Sequence, residues 1–88
     1  MQVSNMISKK GNKIANQFII TDDHNNELFQ SYHSIIAKRY TNGVVELDKK
    51  YWDYSRTTSK YRNIFLNETN QETNWKVKIG VYKLVDLN

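Results

Sequence analysis

Apolar and polar residues alternate along the first half of the chain, which is the period of a half-buried β-strand. The alternation predicts one strand over residues 14–21 and a second, long strand over residues 27–40. The period slips near Ser34, where a β-bulge would lie. Residues 22–26 between the two strands are all Asp, His or Asn, a composition that favours a turn.

Asn42-Gly43 is the clearest turn signal in the chain. Both residue types tolerate a positive φ, and β-prone residues lie on each side, which is the pattern of a tight hairpin. Residues 35–40 and 44–48 are therefore predicted to pair as antiparallel strands. The aromatic stretch over residues 51–54 is then interpreted as a further short strand.

The spacing of apolar residues changes to a helical period in the second half of the chain. An i,i+4 pair of aromatic residues predicts a short helix over residues 59–67. Thr69 and Glu72 have the spacing of a capping box, so a second helix is predicted over residues 70–79. Residues 81–87 alternate imperfectly and predict a last strand.

These elements predict an α+β fold: an antiparallel β-meander of about three to four strands, covered by one or two short helices, with a C-terminal strand. Residues 1–13 have no period and are predicted to form a flexible N-terminal arm. Residues 14–88 then form a single domain, since 88 residues cannot supply two cores. We expect a cytoplasmic protein with no membrane contact, because no apolar run could span a bilayer or serve as a signal peptide.

The formal charge is +4, but the abundant Lys and Asn and the absent Pro also suit an AT-rich genome. The placement of charge is therefore more informative than its sum. Residues 38–62 carry seven basic and three acidic residues together with five aromatic ones. Cations among aromatic rings suit DNA or RNA, because cations meet phosphates and rings stack on bases. The alternative is that the rings belong to the core and the charges form a solvated rim.

Within this segment, hydroxyl groups and cations surround the predicted start of a helix, where free backbone N–H groups favour phosphate. The residues predicted to bind nucleic acid or a partner are Lys49, Lys50, Tyr51, Trp52, Tyr54, Arg56, Thr57, Lys60 and Arg62. The alternative is a helix cap with surplus hydroxyl groups and surface charges.

No catalytic constellation is visible. The chain has no cysteine, its three glycines are isolated, and His24 and His33 fall in a predicted turn and a predicted strand. A phosphate-cradling loop, a nucleophile with its base, and a metal-ligand spacing are all missing from the sequence. We therefore expect a protein that is not an enzyme and uses no cofactor and no metal.

The stretch Tyr-Ser-Arg-Thr-Thr-Ser-Lys-Tyr over residues 54–61 resembles a family of small, largely uncharacterised proteins from phages and prophages of low-GC bacteria. In that family an Asn-Gly hairpin precedes a Tyr-Ser-x-Thr-Thr-Ser-Lys core and a short helix. The resemblance covers about residues 28–66. It implies a phage origin and a location in a host cell, and it carries no known chemistry.

Three functional hypotheses follow. The first is a non-enzymatic, phage-type binding protein that inhibits or modulates host machinery handling nucleic acid, as an anti-CRISPR protein does, by binding a host protein or ribonucleoprotein complex. The alternative is a small basic DNA- or RNA-binding or transcription-regulatory protein that uses residues 38–62. A third reading is a structural protein that forms a homodimer through its terminal strand, residues 81–87.

Overall fold

Six strands form one sheet in chain order in the computed structural model, which describes residues 1–88. The first five strands along the chain pair antiparallel, and the sixth, which follows two helices, pairs parallel to the fifth. The elements are β1 (Gln2–Ile7), β2 (Lys13–Thr21), β3 (Glu27–Ser31), β4 (Ser34–Arg39), β5 (Val45–Asp48), α1 (Arg56–Leu66), α2 (Asn70–Lys78) and β6 (Lys83–Val85). The predicted α+β class is confirmed, although the sheet has more strands than predicted.

The first strand lies where a flexible arm was predicted. Residues 2–7 pair with β2, from Gln2 opposite Thr21 to Asn5 opposite Phe18, and Met6 is buried in the core. Most other side chains of β1 are exposed, and β1 lies at an edge of the sheet. An exposed edge strand needs no apolar alternation, which is why the sequence pattern did not indicate it.

Residues 27–40 form two strands in place of the single strand that was predicted. The chain reverses at Tyr32-His33, where Tyr32 has a φ of 55° and donates its backbone N–H to the carbonyl of Asn16 at 2.7 Å. Tyr and His are not typical turn residues, so composition did not reveal this turn. A bulge is present, but at Ile36, because Phe29 pairs with Ala37 while the next residue pairs with Ile35.

The predicted hairpin around Asn42-Gly43 is confirmed. Gly43 has a φ of 90° and donates its N–H to the carbonyl of Tyr40, and the Asn42 side chain accepts the N–H of Val44 at 3.0 Å. Only Gly43 takes a positive φ, so the loop is longer than the two-residue turn that the dipeptide suggested. Residues 51–54, predicted as a strand, form turns after β5.

Both helices are confirmed, and so is the capping box predicted for the second. Helix α1 begins at residue 56 rather than 59, because Ser55 is its N-cap and accepts the backbone N–H of Thr58 at 3.1 Å. Asn67 ends it in the left-handed conformation. Thr69 and Glu72 form the capping box that starts α2. Neither helix has the length and apolar character that crossing a membrane requires.

The core lies between the sheet and α1. Phe29 of β3 stacks on Phe65 of α1 with 5.9 Å between ring centroids. The buried apolar residues are Met6, Phe29, Ile36, Ala37, Val45, Leu47, Phe65 and Tyr82. Because α1 packs on β3 and β4, its N-terminal turn lies close to the β3–β4 turn, and this proximity shapes the surface described next.

The free edges of the sheet belong to β1 and β6. Strand β6 is only three residues long, shorter than the predicted segment 81–87. Charged residues and proline usually protect an edge strand from pairing with another chain, and the six residues of β1 include neither. The homodimer stays a prediction, and β1 offers it the longer edge.

Candidate binding surface

The loop over residues 49–55 joins β5 to α1 and carries five of the nine predicted binding residues. Asp48 anchors its start: one carboxylate oxygen accepts the N–H groups of Lys50 at 3.0 Å and Tyr51 at 2.9 Å, and the other accepts the N–H of Leu87 at 2.8 Å. Burial alone would raise the pKa of Asp48, but these donors outweigh it and hold the pKa below its ordinary value. The loop is thus tied to the C-terminal segment.

The end of the loop is anchored by Arg62, whose side chain is fully buried. Its guanidinium donates to the carbonyl of Trp52 at 2.6 Å and to the carboxylate of Asp53 at 3.3 Å. It also donates to the side-chain oxygens of Asn63 at 3.0 Å and Asn70 at 2.9 Å. Burial lowers the pKa of Arg62 and Asp53 opposes that shift, but a guanidinium remains charged at any ordinary pH.

Arg62 therefore differs from its predicted role. It was predicted to bind nucleic acid or a partner, yet it faces inward with Thr58 and Phe65, on the side of α1 that packs on the sheet. Residues separated by three or four positions share one face of a helix, so Arg62 lies on the buried face with these two residues. The surface has to be built from the other predicted residues.

Four cations remain exposed between residues 49 and 60, and none of them forms an ion pair. The ion pairs of the chain use the N-terminal amine, Arg39, Arg62 and Lys76 instead. The acids nearby are occupied, because Asp48 is buried and Asp53 is bonded to Arg62. We call these four cations, together with Tyr54, the basic surface: Lys49, Lys50, Tyr54, Arg56 and Lys60.

Of the three predicted stacking residues, only Tyr54 presents an open ring, with 70% of the residue exposed. Tyr51 and Trp52 are half-buried against the core. The Tyr51 ring packs edge-on against Tyr54 with 5.7 Å between centroids, and the guanidinium of Arg62 lies 5.4 Å from the Trp52 ring. Trp52 thus serves packing, as the alternative interpretation of the sequence expected, whereas Tyr54 faces solvent and its role in binding stays a prediction.

The hydroxyl groups at the start of α1 have structural roles, with one exception. Ser55 caps the helix, Thr58 accepts the hydroxyl of Ser55 at 3.1 Å, and Ser59 donates to Asp53 at 2.8 Å. Thr57 is exposed and forms no side-chain hydrogen bond within the chain. A polar recess at this helix start is lined by Arg56 and Lys60 together with the carboxylate of Asp53.

Sequence reasoning missed two groups around this surface. The anchoring role of Asp48 was not predicted, because nothing local marks a carboxylate that will bind the N–H of residue 87. Ser31 and Tyr32 were placed inside a long strand, and the turn that brings them near α1 has no composition signal. The structure brings no three potential metal-ligating side chains of the His, Cys, Asp or Glu type together.

The chain matches one protein family over residues 1–80, described as a family of unknown function (DUF8033). The matched range runs from β1 through α2 and so includes the whole basic surface. No curated protein and no solved structure matches the chain.

Proposed function

The chain belongs to the DUF8033 family, whose function is unknown, and we propose that it is a non-enzymatic binding protein that modulates machinery handling nucleic acid. The basic surface binds the nucleic acid of that machinery. This proposal depends mainly on the observation that residues 49–60 carry four exposed cations without an ion pair on either side, along the chain, of an exposed tyrosine. We further propose a phage-type protein that acts in the cytoplasm of a host cell.

The lack of carboxylate partners for these four cations favours binding to phosphate. A cation already held by a carboxylate would have to give up that partner before it could neutralise a phosphate, whereas these four would not. Each phosphate contact releases condensed counterions and makes binding depend on salt. Arg56 adds the planar geometry that suits bidentate phosphate contacts, and Tyr54 offers a face for stacking.

A second candidate is a phage-type inhibitor that docks directly on a host protein, as an anti-CRISPR-like protein does. An apolar recess between the β1–β2 turn and α1 favours it. Ile7 and Ile64 line this recess and are both about half exposed, and Lys9 and Lys60 flank them. Such a surface suits a protein patch that is apolar at its centre and acidic at its rim.

The first proposal predicts a change in salt dependence when Arg56→Gln and Lys60→Gln are combined. We expect the negative slope of log affinity against log salt for a single-stranded oligonucleotide to become shallower by about 1.4, since each lost phosphate contact reduces its magnitude by about 0.7. Fluorescence anisotropy of a labelled DNA or RNA strand, titrated at several salt concentrations, measures this slope.

The matched control combines Lys78→Gln with Lys83→Gln. Both lysines are exposed and lie outside the basic surface, and the two substitutions remove the same net charge. The control should keep the wild-type slope. An equal decrease in both double variants would mean that only net charge matters and would argue against a defined surface. If wild type binds no strand at low salt, the first proposal fails. The second is tested by capture of a host protein from lysate, with Ile64→Glu as the variant expected to lose it.

A further inference from the structure

A cavity of about 330 Å³ opens between the β3–β4 turn, the loop over residues 49–55 and the start of α1. Three tyrosine rings line it, those of Tyr32, Tyr51 and Tyr54, and no charged side chain does. This volume is at the lower end of small-molecule sites, which suits one flat ring system rather than a large ligand.

Two buried hydroxyl groups also line the cavity, from Ser31 of β3 and Thr58 of α1. Ser31 is 4% exposed, and its only side-chain hydrogen bond within the chain is with the Thr58 hydroxyl at 3.5 Å. Good hydroxyl–hydroxyl bonds are about 2.5–3.0 Å long, so the Ser31 hydroxyl lacks a well-placed partner. A buried hydroxyl in that condition is stabilised by a ligand that supplies the missing bond.

The tyrosines leave ring surface open for such a ligand. Tyr54 is 70% exposed and Tyr32 is 53% exposed, so neither ring is covered by the core. Tyr51 packs edge-on against Tyr54, which holds that ring at the cavity wall. An uncharged, flat, polar ring could stack on tyrosine and bond to the serine and threonine hydroxyls at its edge.

We propose that the cavity takes one unstacked base of a single strand, an inference that rests on the proposed function. The cations near the cavity favour a nucleic-acid base over other flat rings, because a base is joined to phosphates. Lys50 lies with its amine 5.3 Å from the Tyr51 ring, and Arg56 directly follows Ser55, which also lines the cavity. A base in the cavity would therefore have cations close to its neighbouring phosphates.

Replacing Tyr54 by alanine tests this inference. The probes are a labelled oligothymidylate of about ten nucleotides and an abasic sugar-phosphate strand of equal length. We expect wild type to bind the thymidylate about tenfold more tightly than the abasic strand, and Tyr54→Ala to remove most of this preference, since stacking on an aromatic residue carries it. The salt slope should stay unchanged, because Tyr54 bears no charge.

The control is Trp75→Ala, which removes another exposed aromatic ring, from α2 and outside the cavity, and should keep the preference. Ser31→Ala should weaken thymidylate binding and leave abasic binding unaltered, whereas equal weakening for both strands would contradict a role in base contact. If wild type binds both strands equally with a normal salt slope, the cavity is not a base site while the basic surface stands. If neither strand binds at low salt, the proposed function fails as well.

Discussion

Arg62→Ala is expected to lower the free energy of unfolding by about 3 kcal/mol, near the lower limit for breaking a buried ion pair. The lower limit applies because the partner, Asp53, is half exposed and can regain water. The substitution also leaves the carbonyl of Trp52 without its donor and opens space beneath α1. Urea denaturation at neutral pH, followed by far-ultraviolet circular dichroism, measures the loss.

Arg56→Ala is the matched control for Arg62→Ala, because it removes the same side chain from the exposed side of the same helix. Its effect should stay within about 0.5 kcal/mol, as is usual for surface substitutions. A loss below about 1 kcal/mol for Arg62→Ala would show that the buried guanidinium does not hold the loop. The pair of variants also separates stability from binding, since Arg56 belongs to the basic surface and Arg62 does not.

Asp48→Asn is expected to lower the free energy of unfolding by about 2 kcal/mol at neutral pH, because hydrogen bonds to a buried charged acceptor are stronger than those to a neutral one. An amide in the same place would also present its NH₂ group to at least one of the backbone donors, the N–H groups of Lys50, Tyr51 and Leu87. The substitution would loosen both the loop and the C-terminal segment. Urea denaturation with Asp86→Asn, an exposed acid nearby, provides the comparison.

The pH dependence of this loss follows from the lowered pKa of Asp48. A carboxyl group whose pKa is lower in the folded state contributes stability above its unfolded pKa of about 3.9, and this stability disappears as pH falls through the folded pKa. The difference between wild type and Asp48→Asn should therefore be full near pH 7 and shrink below about pH 4. Glu68, whose pKa is also lowered, is present in both proteins and cancels from the comparison. A difference that is constant from pH 7 to pH 3 would contradict this assignment.

The sequence identified the charged residues of the candidate surface but not which of them are buried. Lys49, Lys50, Arg56 and Lys60 were identified from their charge and their place beside aromatic residues, and the structure leaves all four exposed. Arg62 has the same chemistry and lies only two residues beyond Lys60, yet it is buried. Charge density along a chain cannot separate such residues, because the face that a helix buries is chosen by what packs on it.

Local structure was determined by the sequence itself. The loop at Gly43, the capping box of Thr69 and Glu72, and the left-handed end of α1 at Asn67 all form among residues a few positions apart. Such interactions need no distant partner, so residue type and spacing are enough to predict them. The α+β class followed from the same local periods.

Contacts between distant residues were decided only by the tertiary structure. Asp48 binds the N–H of Leu87, the β1 strand gains its place by pairing with β2, and Ser31 meets Thr58 at the cavity that we propose as a base site. Each of these contacts depends on how the sheet and α1 pack. Burial by that packing made Arg62 a structural residue and left the hydroxyl of Ser31 without a good partner, because desolvation depends on neighbours that are remote along the chain.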